Sequence, residues 1–108
     1  MAILALDIGA TKFAAGVVRP GPQVREVRRV DVPDTGVWDA CRALLLEVAG
    51  RESVSAVGIG AAGPVDVRSG VTGPLNIPEW KAGFPIVAAV RELFPAAAIR
   101  FAIDGACL

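Results

Sequence analysis

Residues 2–18 read AILALDIGATKFAAGVV, and this stretch decides the fold. A short apolar run ends on an acid, Asp7, and a second run of apolar and small residues begins at Phe13. Glycine and threonine stand between the two runs, which is typical of a tight turn that joins two strands. The stretch therefore predicts a strand that ends at Asp7, a turn and a second strand.

The segment that follows extends these two strands into a sheet. Residues 24–32 mix valines with Arg25, Arg28 and Arg29, a pattern that suits a third strand near a sheet edge with its arginines in solvent. Because three strands then follow one another along the chain, we predict an antiparallel three-strand meander.

A helix and a buried strand are predicted next. Apolar residues at helical spacing predict a helix over residues 37–49, with Asp34 or Thr35 as its N-cap and Gly50 as its stop. A near-continuous apolar run over residues 53–62 predicts a strand that is buried on both faces.

The last part of the chain completes an α/β domain with a five-stranded mixed sheet and flanking helices. Residues 66–83 are rich in proline and glycine and have no sustained period, so we predict an ordered excursion with one short hairpin. Pro85 is expected at the first position of a second helix, which Pro95 closes. Residues 99–103 predict the fifth strand. A further helix should start after Asp104, and because a helix of one turn is marginal alone, we expect a fragment of a longer protein.

Composition and charge exclude several classes of protein. The chain has 108 residues, with 11 Lys+Arg against 11 Asp+Glu and no histidine, so its formal net charge is zero. This balance argues against a basic nucleic-acid surface and against an acidic tail. The length suits a single domain with one core. The longest uncharged run, residues 53–65, is shorter than the about 18 apolar residues of a membrane helix.

The N-terminal residues and the two cysteines allow predictions about cellular location and metal binding. The first residues have no signal-peptide pattern, so we expect a cytoplasmic protein without a membrane partner. Cys41 and Cys107 lie far apart in apolar segments, which predicts two buried free thiols. With no histidine in the chain, no zinc site is predicted.

The first candidate site is the run DIGATK at residues 7–12. A glycine turn after a strand lets a phosphate approach the backbone at Gly9, while Thr11 offers a hydroxyl and Lys12 a positive charge. Asp7 would then face Mg²⁺ through water. The alternative is a plain hairpin in which Asp7 and Thr11 satisfy turn amides, and these six residues alone favour that alternative.

The second candidate is Asp104, at the carboxyl end of a predicted buried strand. Ligands gather at this edge of open α/β sheets, and a carboxylate there can accept a proton from a substrate hydroxyl. Taken alone, Asp104 is better explained as the N-cap of the helix that follows.

The third candidate is a pair of loops, residues 60–66 and 75–80. Gly63 would let a ligand approach bare backbone, and Asn76 offers a donor and an acceptor together, as recognition of a polyol requires. In isolation, ordinary turn chemistry with Trp80 covering the core is the simpler explanation.

Taken together and in order, these motifs resemble the ROK family, the sugar kinases and related repressors of the actin/hexokinase-like ATPase superfamily. The resemblance covers the whole chain and rests on ALDIGATKFAAGVV at 5–18, GIGAAGPVD at 58–66, PLNIPEWKA at 74–82 and IRFAIDGACL at 99–108. It implies an actin-like ATPase (ribonuclease H-like) lobe, the N-terminal lobe of a two-lobe kinase that phosphorylates a hexose or hexose derivative as glucokinases do.

The resemblance also assigns a phosphate site. Asp7, Gly9, Thr11 and Lys12 match the family's first phosphate motif, so they are expected to bind ATP, with Mg²⁺ near Asp7 through water. The adenosine site and a cysteine-rich zinc motif belong to the family's second lobe, so these 108 residues alone should be inactive. The full-length protein is expected to be a homodimer.

On the sugar side, the resemblance places Gly63 and Asn76 in the loops that line the sugar site and makes Asp104 both a sugar ligand and the catalytic base. The sequence departs from the family pattern at two neighbours of Asp104. Ile103 stands where the family usually has a sugar-binding Asn, and Ala106 replaces another common Asn. We expect the first change to cost recognition of one sugar hydroxyl.

Two other classes share parts of this pattern. A sugar-sensing transcriptional regulator of the same family would carry a helix-turn-helix module ahead of the first motif, whereas here the predicted strand begins at Ala2. An activator ATPase with the same turn would carry cysteines at the spacing of an iron–sulfur cluster, which Cys41 and Cys107 lack. The regulator remains the alternative because Ile103 suits a sugar-binding protein without catalysis.

Overall fold

The chain folds around one five-stranded mixed sheet. The computed structural model describes residues 2–9, 11–18, 27–61, 65–66, 71–72, 80 and 83–103. Its strands are β1 (Ala2–Ile8), β2 (Lys12–Val18), β3 (Val27–Asp31), β4 (Val54–Ala61), β5 (Val65–Asp66), β6 (Val71–Thr72) and β7 (Ala98–Ile103). Its helices are α1 (Val37–Ala49) and α2 (Ile86–Leu93).

The strand order in the large sheet is β3-β2-β1-β4-β7. β1, β2 and β3 pair antiparallel, which confirms the predicted meander. β4 and β7 add to β1 in parallel, which confirms the mixed five-stranded sheet. The short hairpin predicted inside residues 66–83 is the separate pair of β5 and β6.

Both helices cover the same face of this sheet. The connections from β1 to β4 and from β4 to β7 step across the sheet in the same direction, and right-handed crossovers then place their helices on one side. Accordingly, α1 packs against β1, β2 and β3, and α2 packs against β7. Side chains of β1 alternate between buried and exposed as a result, with Leu4 and Leu6 in the core and Ile3 and Ala5 on the other face.

Most predicted element bounds agree with the structure. The helix over residues 37–49 is confirmed, and Gly50 ends it with a φ of 60° and a backbone N–H that donates to the Leu46 carbonyl at 3.0 Å. β4 and β7 lie within one or two residues of their predicted bounds. β3 begins at Val27, and residues 24–26 of the predicted third strand lie outside the described residues.

Two predictions at helix starts are wrong. The N-cap of α1 is Gly36 in a left-handed conformation, without a side-chain cap bond, so neither Asp34 nor Thr35 caps the helix. The reason is that the chain enters the helix through a positive φ of 64°, which glycine adopts without a steric penalty. Pro85 occupies the N-cap of α2 and not its first helical position, because its ψ of 73° lies outside the helical range.

The helices bear on membrane association as well. Within the described ranges, neither helix has the length and apolar character needed to cross a bilayer.

Candidate functional site

The three parallel strands end together at one edge of the sheet. Ile8 pairs with Ala61, and Ala61 pairs with Ile103, so the carboxyl ends of β1, β4 and β7 share one register row. Neighbouring strands lie about 4.8 Å apart, which puts the two outer members of this row about 10 Å from each other. This is the edge at which open α/β sheets bind their ligands.

Asp7 lies one residue before this edge, on the face that the helices leave open. It is exposed, and its register partners are Ala14 on β2 and Gly60 on β4. Because neither partner has a side chain larger than a methyl group, the space beside the carboxylate is not filled by its neighbours on the sheet. An exposed carboxylate suits a hydrated Mg²⁺, which keeps several of its waters and takes one or two protein carboxylates.

The turn between β1 and β2 is tight at Gly9. The Gly9 N–H donates to the Lys12 carbonyl at 3.0 Å, and a Cβ added at Gly9 would lie 3.0 Å from that same oxygen. Glycine is therefore favoured here by the close approach of the backbone. Since its N–H is used inside the turn, Gly9 gives the turn its shape, and any donors for a phosphate must come from its neighbours, such as the exposed Thr11.

Lys12 has a partner that the sequence did not reveal. Its ammonium forms an ion pair with Asp31, its register partner on β3, and the two side chains are 56% and 83% exposed. The hydrogen bond from Lys12, together with its positive charge, lowers the pKa of Asp31 below the usual value. A phosphate at this turn must therefore share Lys12 with Asp31 or displace it.

Three predicted site residues, Gly63, Asn76 and Asp104, lie outside the described residues. Their places in the sequence are nevertheless tied to described elements. Gly63 comes two residues after the end of β4, and Asp104 directly follows the last residue of β7. Asn76 precedes Trp80 by four residues.

An aromatic stack lies under the turn, and sequence reasoning missed it. Trp80 is 1% exposed and stacks on Phe13 with ring centroids 5.5 Å apart. It also stacks on Phe84, with ring centroids 4.4 Å apart and an interplanar angle of 8°. Trp38 on α1 also contacts Phe84, with ring centroids 5.7 Å apart. The interpretation of Trp80 as a core residue is confirmed, and the stack adds that its neighbours include Phe13, the residue after Lys12.

The face of the sheet opposite the helices holds an open apolar trough of about 710 Å³. Small residues of β1, β2 and β4 form its floor, among them Ala5, Gly16 and Gly58. Arg29 on β3 and Arg100 on β7 stand at its two sides. We call this surface the open face and its counterpart the helix-covered face.

Among the described residues, the remaining titratable groups give no second candidate site. Across the part of the chain that the structure describes, no group of three or more His, Cys, Asp or Glu side chains could hold a metal ion. Cys41 is a free, fully buried thiol, as predicted, and burial raises its pKa to about 12. Cys107 lies outside the described residues.

The order of the motifs along the chain has a counterpart among known proteins. The model of the ROK family matches residues 3–105. This chain belongs to the ROK family. A comparison with curated proteins returned no match.

Solved structures of ROK proteins share the fold of this ROK chain. It is 31% identical to a ROK family glucokinase from Streptomyces griseus, crystallised with glucose and AMPPNP, at a TM-score of 0.73 over 96% of this chain and 33% of that one. An inorganic polyphosphate/ATP-glucomannokinase from Arthrobacter sp. strain KM matches at 22% identity and a TM-score of 0.65, over 95% of this chain and 44% of that one. A ROK family transcriptional regulator, a homologue of the E. coli MLC protein, matches at 14% identity and a TM-score of 0.73, over 95% and 28%.

These likenesses confirm the predicted fold class. The five-stranded mixed sheet with flanking helices is a lobe of the actin-like ATPase fold of the ROK sugar kinases. The ROK chain spans about a third of the length of the Streptomyces glucokinase. The family contains both kinases and regulators, so family membership alone leaves the activity open.

Proposed function

We propose that this chain is the N-terminal lobe of an ATP-dependent sugar kinase that phosphorylates a hexose or hexose derivative, as glucokinases do. The observation that carries the proposal is the common edge of β1, β4 and β7, because every candidate motif follows the end of one of these strands or lies in the excursion after β4. The 31% identity to a glucokinase that binds glucose and an ATP analogue supports the same reading.

In this proposal, the turn after β1 holds the phosphates. Asp7 would hold a hydrated Mg²⁺ through its waters, and the ion would supply positive charge to neutralise the phosphates. Thr11 donates its hydroxyl to a phosphate oxygen, and Lys12 supplies a positive charge that it otherwise shares with Asp31. Gly9 keeps the turn narrow enough for the phosphates to reach these groups.

The sugar lies at the ends of β4 and β7. Gly63 leaves room for the sugar ring and Asn76 binds a hydroxyl through its amide. Asp104 accepts the proton of the hydroxyl that attacks the γ-phosphate. Because phosphoryl transfer demands little covalent chemistry from the protein, these residues act by positioning and by charge. Ile103 removes one polar partner beside Asp104, which lowers the affinity for one sugar hydroxyl.

The open face supports the assignment of this chain to one lobe of a larger protein. Ile3 on that face is 46% exposed and Val27 is 43% exposed, beside an apolar trough of about 710 Å³. Apolar surface of this kind is usually covered in a soluble protein. We propose that polypeptide of the second lobe packs here, that the whole protein is a cytoplasmic homodimer, and that the isolated lobe has no kinase activity.

An ADP-release assay on the full-length protein tests the kinase proposal. Glucose, mannose and N-acetylated hexosamines are screened with Mg-ATP, and Asp104→Asn is compared with the matched control Asp34→Asn, an exposed aspartate at the entrance to α1. We expect turnover that the first substitution reduces by a factor of about 10³ or more and the second leaves unchanged. Absence of turnover with every sugar would overturn the kinase proposal.

The second candidate function is a sugar-sensing regulator that binds sugar without phosphorylating it. The observations that favour it are the regulator that shares the fold and the apolar Ile103 beside the candidate base. Calorimetry of sugar binding with and without ATP decides between the two, since a regulator binds sugar and releases no ADP.

A further inference from the structure

We propose that Asp31 is a further residue of the phosphate site, which competes with phosphate for the ammonium of Lys12 and so lowers the affinity of the turn for nucleotide. The inference rests on the proposed function, because it gives a task to the partner of a proposed phosphate ligand. Asp31 acts through Lys12, so it is a positioning residue.

The backbone fixes Asp31 beside the turn. Asp31 lies directly opposite Lys12 in the register of β2 on β3, and the next residue, Val32, donates its N–H to the Thr11 carbonyl at 2.9 Å. The pairing of the two strands therefore continues past Lys12 into the turn itself. Side chains directly opposite each other on antiparallel strands have Cβ atoms about 5 Å apart. The carboxylate of Asp31 thus stays within reach of the Lys12 ammonium.

Both side chains of this pair lie on the open face, where a ligand can reach them from solvent. Phe13 is fully buried on the helix-covered face, and side chains alternate along a strand, so Lys12 lies on the opposite face. The side chains of Lys12 and Asp31 are 56% and 83% exposed. The exposed Asp7 lies on this face as well. A phosphate that approaches Lys12 therefore meets the carboxylate that already holds it.

The competition follows from the charges of the three groups. Lys12 lowers the pKa of Asp31, so the carboxylate stays ionised at neutral pH and repels a phosphate. A phosphate gains Lys12 only by breaking or sharing the ion pair. Because exposed ion pairs contribute little in water, removing the competitor should tighten phosphate binding by a factor of about two to five. Salt screens exposed charges, so this factor should shrink as the ionic strength rises.

A second ion pair of the same strand provides a matched control. Arg28 on β3 pairs with Glu47 on α1 at 2.6 Å, and these side chains are 56% and 55% exposed. Arg28 lies opposite the buried Ala15, so this pair is on the helix-covered side, away from the turn surface. Replacing either acid by its amide removes one negative charge and one exposed ion pair. Only the replacement of Asp31 frees a cation at the turn.

The test is calorimetric titration of the full-length protein with Mg-ATP. At about 0.1 M salt we expect Asp31→Asn to lower the Kd about two- to fivefold and Glu47→Gln to leave it unchanged. At about 1 M salt the difference should be smaller. An unchanged or higher Kd in Asp31→Asn would overturn the inference, and so would an equal decrease in Glu47→Gln. A residue that only supports the fold would weaken binding when replaced, which is the opposite sign.

A double substitution tests whether Asp31 acts through Lys12. In a Lys12→Met background no ammonium is left to release, so Asp31→Asn should lower the Kd by a smaller factor than in the wild type. An equal decrease in both backgrounds would overturn the inference, because Asp31 would then repel the phosphate directly. If Lys12→Met binds no Mg-ATP, the comparison of Asp31→Asn with Glu47→Gln decides alone. If Asp31→Asn does not fold, Asp31→Ser removes the same charge and must give the same decrease.

Failure of the proposed function is distinguishable from failure of this inference. The wild type is assayed first for binding of Mg-ATP and for ADP release with sugar. If it binds Mg-ATP and phosphorylates no sugar, the kinase proposal alone fails, and the Kd values of the variants still decide the inference. If it is a kinase and Asp31→Asn leaves the Kd unchanged, the inference alone fails. If the wild type binds no Mg-ATP, both are overturned.

Discussion

The two faces of the sheet differ in the size of their side chains, and the difference separates stability from chemistry. The helix-covered face carries large apolar residues, such as Leu4, Leu6 and Ile59, all 2% exposed or less. The open face carries mainly glycine and alanine on its central strands, and Asp7 lies on this face near the carboxyl edge. One face thus buries the apolar area that holds this chain together. The other leaves an open trough, on which we propose that the second lobe packs in the whole protein.

The largest predicted difference in stability is between two isoleucine-to-alanine substitutions, one on each face of the sheet. Ile59 is 1% exposed on the helix-covered face, and Ile3 is 46% exposed on the open face. We expect Ile59→Ala to lower the free energy of unfolding of the 108-residue chain by about 2 to 5 kcal/mol, because it leaves a cavity in the core. Ile3→Ala should cost less than about 1 kcal/mol. Urea unfolding measures both, and equal losses would mean that the open face is covered in solution.

A pair of glycines gives the next comparison. A methyl group at Gly9 meets the Lys12 carbonyl at 3.0 Å, whereas a methyl group at Gly58 on the open face meets nothing within 4 Å. Gly9→Ala should therefore destabilise the lobe by about 1 to 3 kcal/mol. Gly58→Ala should be neutral or stabilising by up to about 1 kcal/mol, because alanine reduces the freedom of the unfolded chain. Both are read from urea midpoints, and a loss in Gly58→Ala as large as that in Gly9→Ala would contradict the openness of the trough.

The ionisation and reactivity of Cys41 report on the packing of the helix-covered face. Burial raises its pKa to about 12 from an ordinary value of 9.0. Because the pKa of Cys41 is higher in the folded state than in the unfolded state, the buried protonated thiol contributes its full stabilisation below about pH 9. This contribution is lost as the pH rises from 9 toward 12. In a Cys107→Ser background, we expect no reaction of Cys41 with a thiol reagent at pH 8 until the chain is unfolded with urea. Rapid labelling of the folded chain would show that α1 opens readily.

The smallest effect concerns Asp31 at the edge of the open face. Lys12 lowers its pKa, so the pair stabilises the fold above the ordinary pKa of an aspartate, and this contribution is lost as the pH falls through the lowered value. We expect Lys12→Met to remove part of the acid dependence of Tm below about pH 4, and Arg42→Met, an exposed cation on α1, to leave it unchanged. Identical acid profiles for Lys12→Met and the wild type would contradict the pairing.

Local signals made much of the fold predictable from the sequence. The meander, α1 and β7 follow from apolar periodicity with glycine and proline at the boundaries, and these depend on near neighbours in the chain. The N-cap at Gly36 could not be predicted from the sequence, since nothing there favours a left-handed glycine over the good capping residues Asp34 and Thr35.

The candidate site was predictable only in part, because register and tertiary packing decide the rest. The sequence placed Asp7 at a strand end, and the structure agrees. The pairing of Lys12 with Asp31 depends on the register of β2 on β3, and the stack of Phe13 on Trp80 joins residues far apart in the chain. The roles of Gly63, Asn76 and Asp104 remain predictions that rest on the resemblance.

The strand order has a consequence for how the chain folds during synthesis. β1 is made first and can pair with β2 and β3 locally, but its other side pairs with β4, whose Val57 aligns with Leu4. The centre of the sheet therefore closes only after the ribosome has released α1 and β4, and such long-range pairing is slow. Until then, one edge of an apolar strand is exposed and able to pair with another chain. Slow release of residues 50–61 from the ribosome should therefore increase aggregation of the nascent lobe.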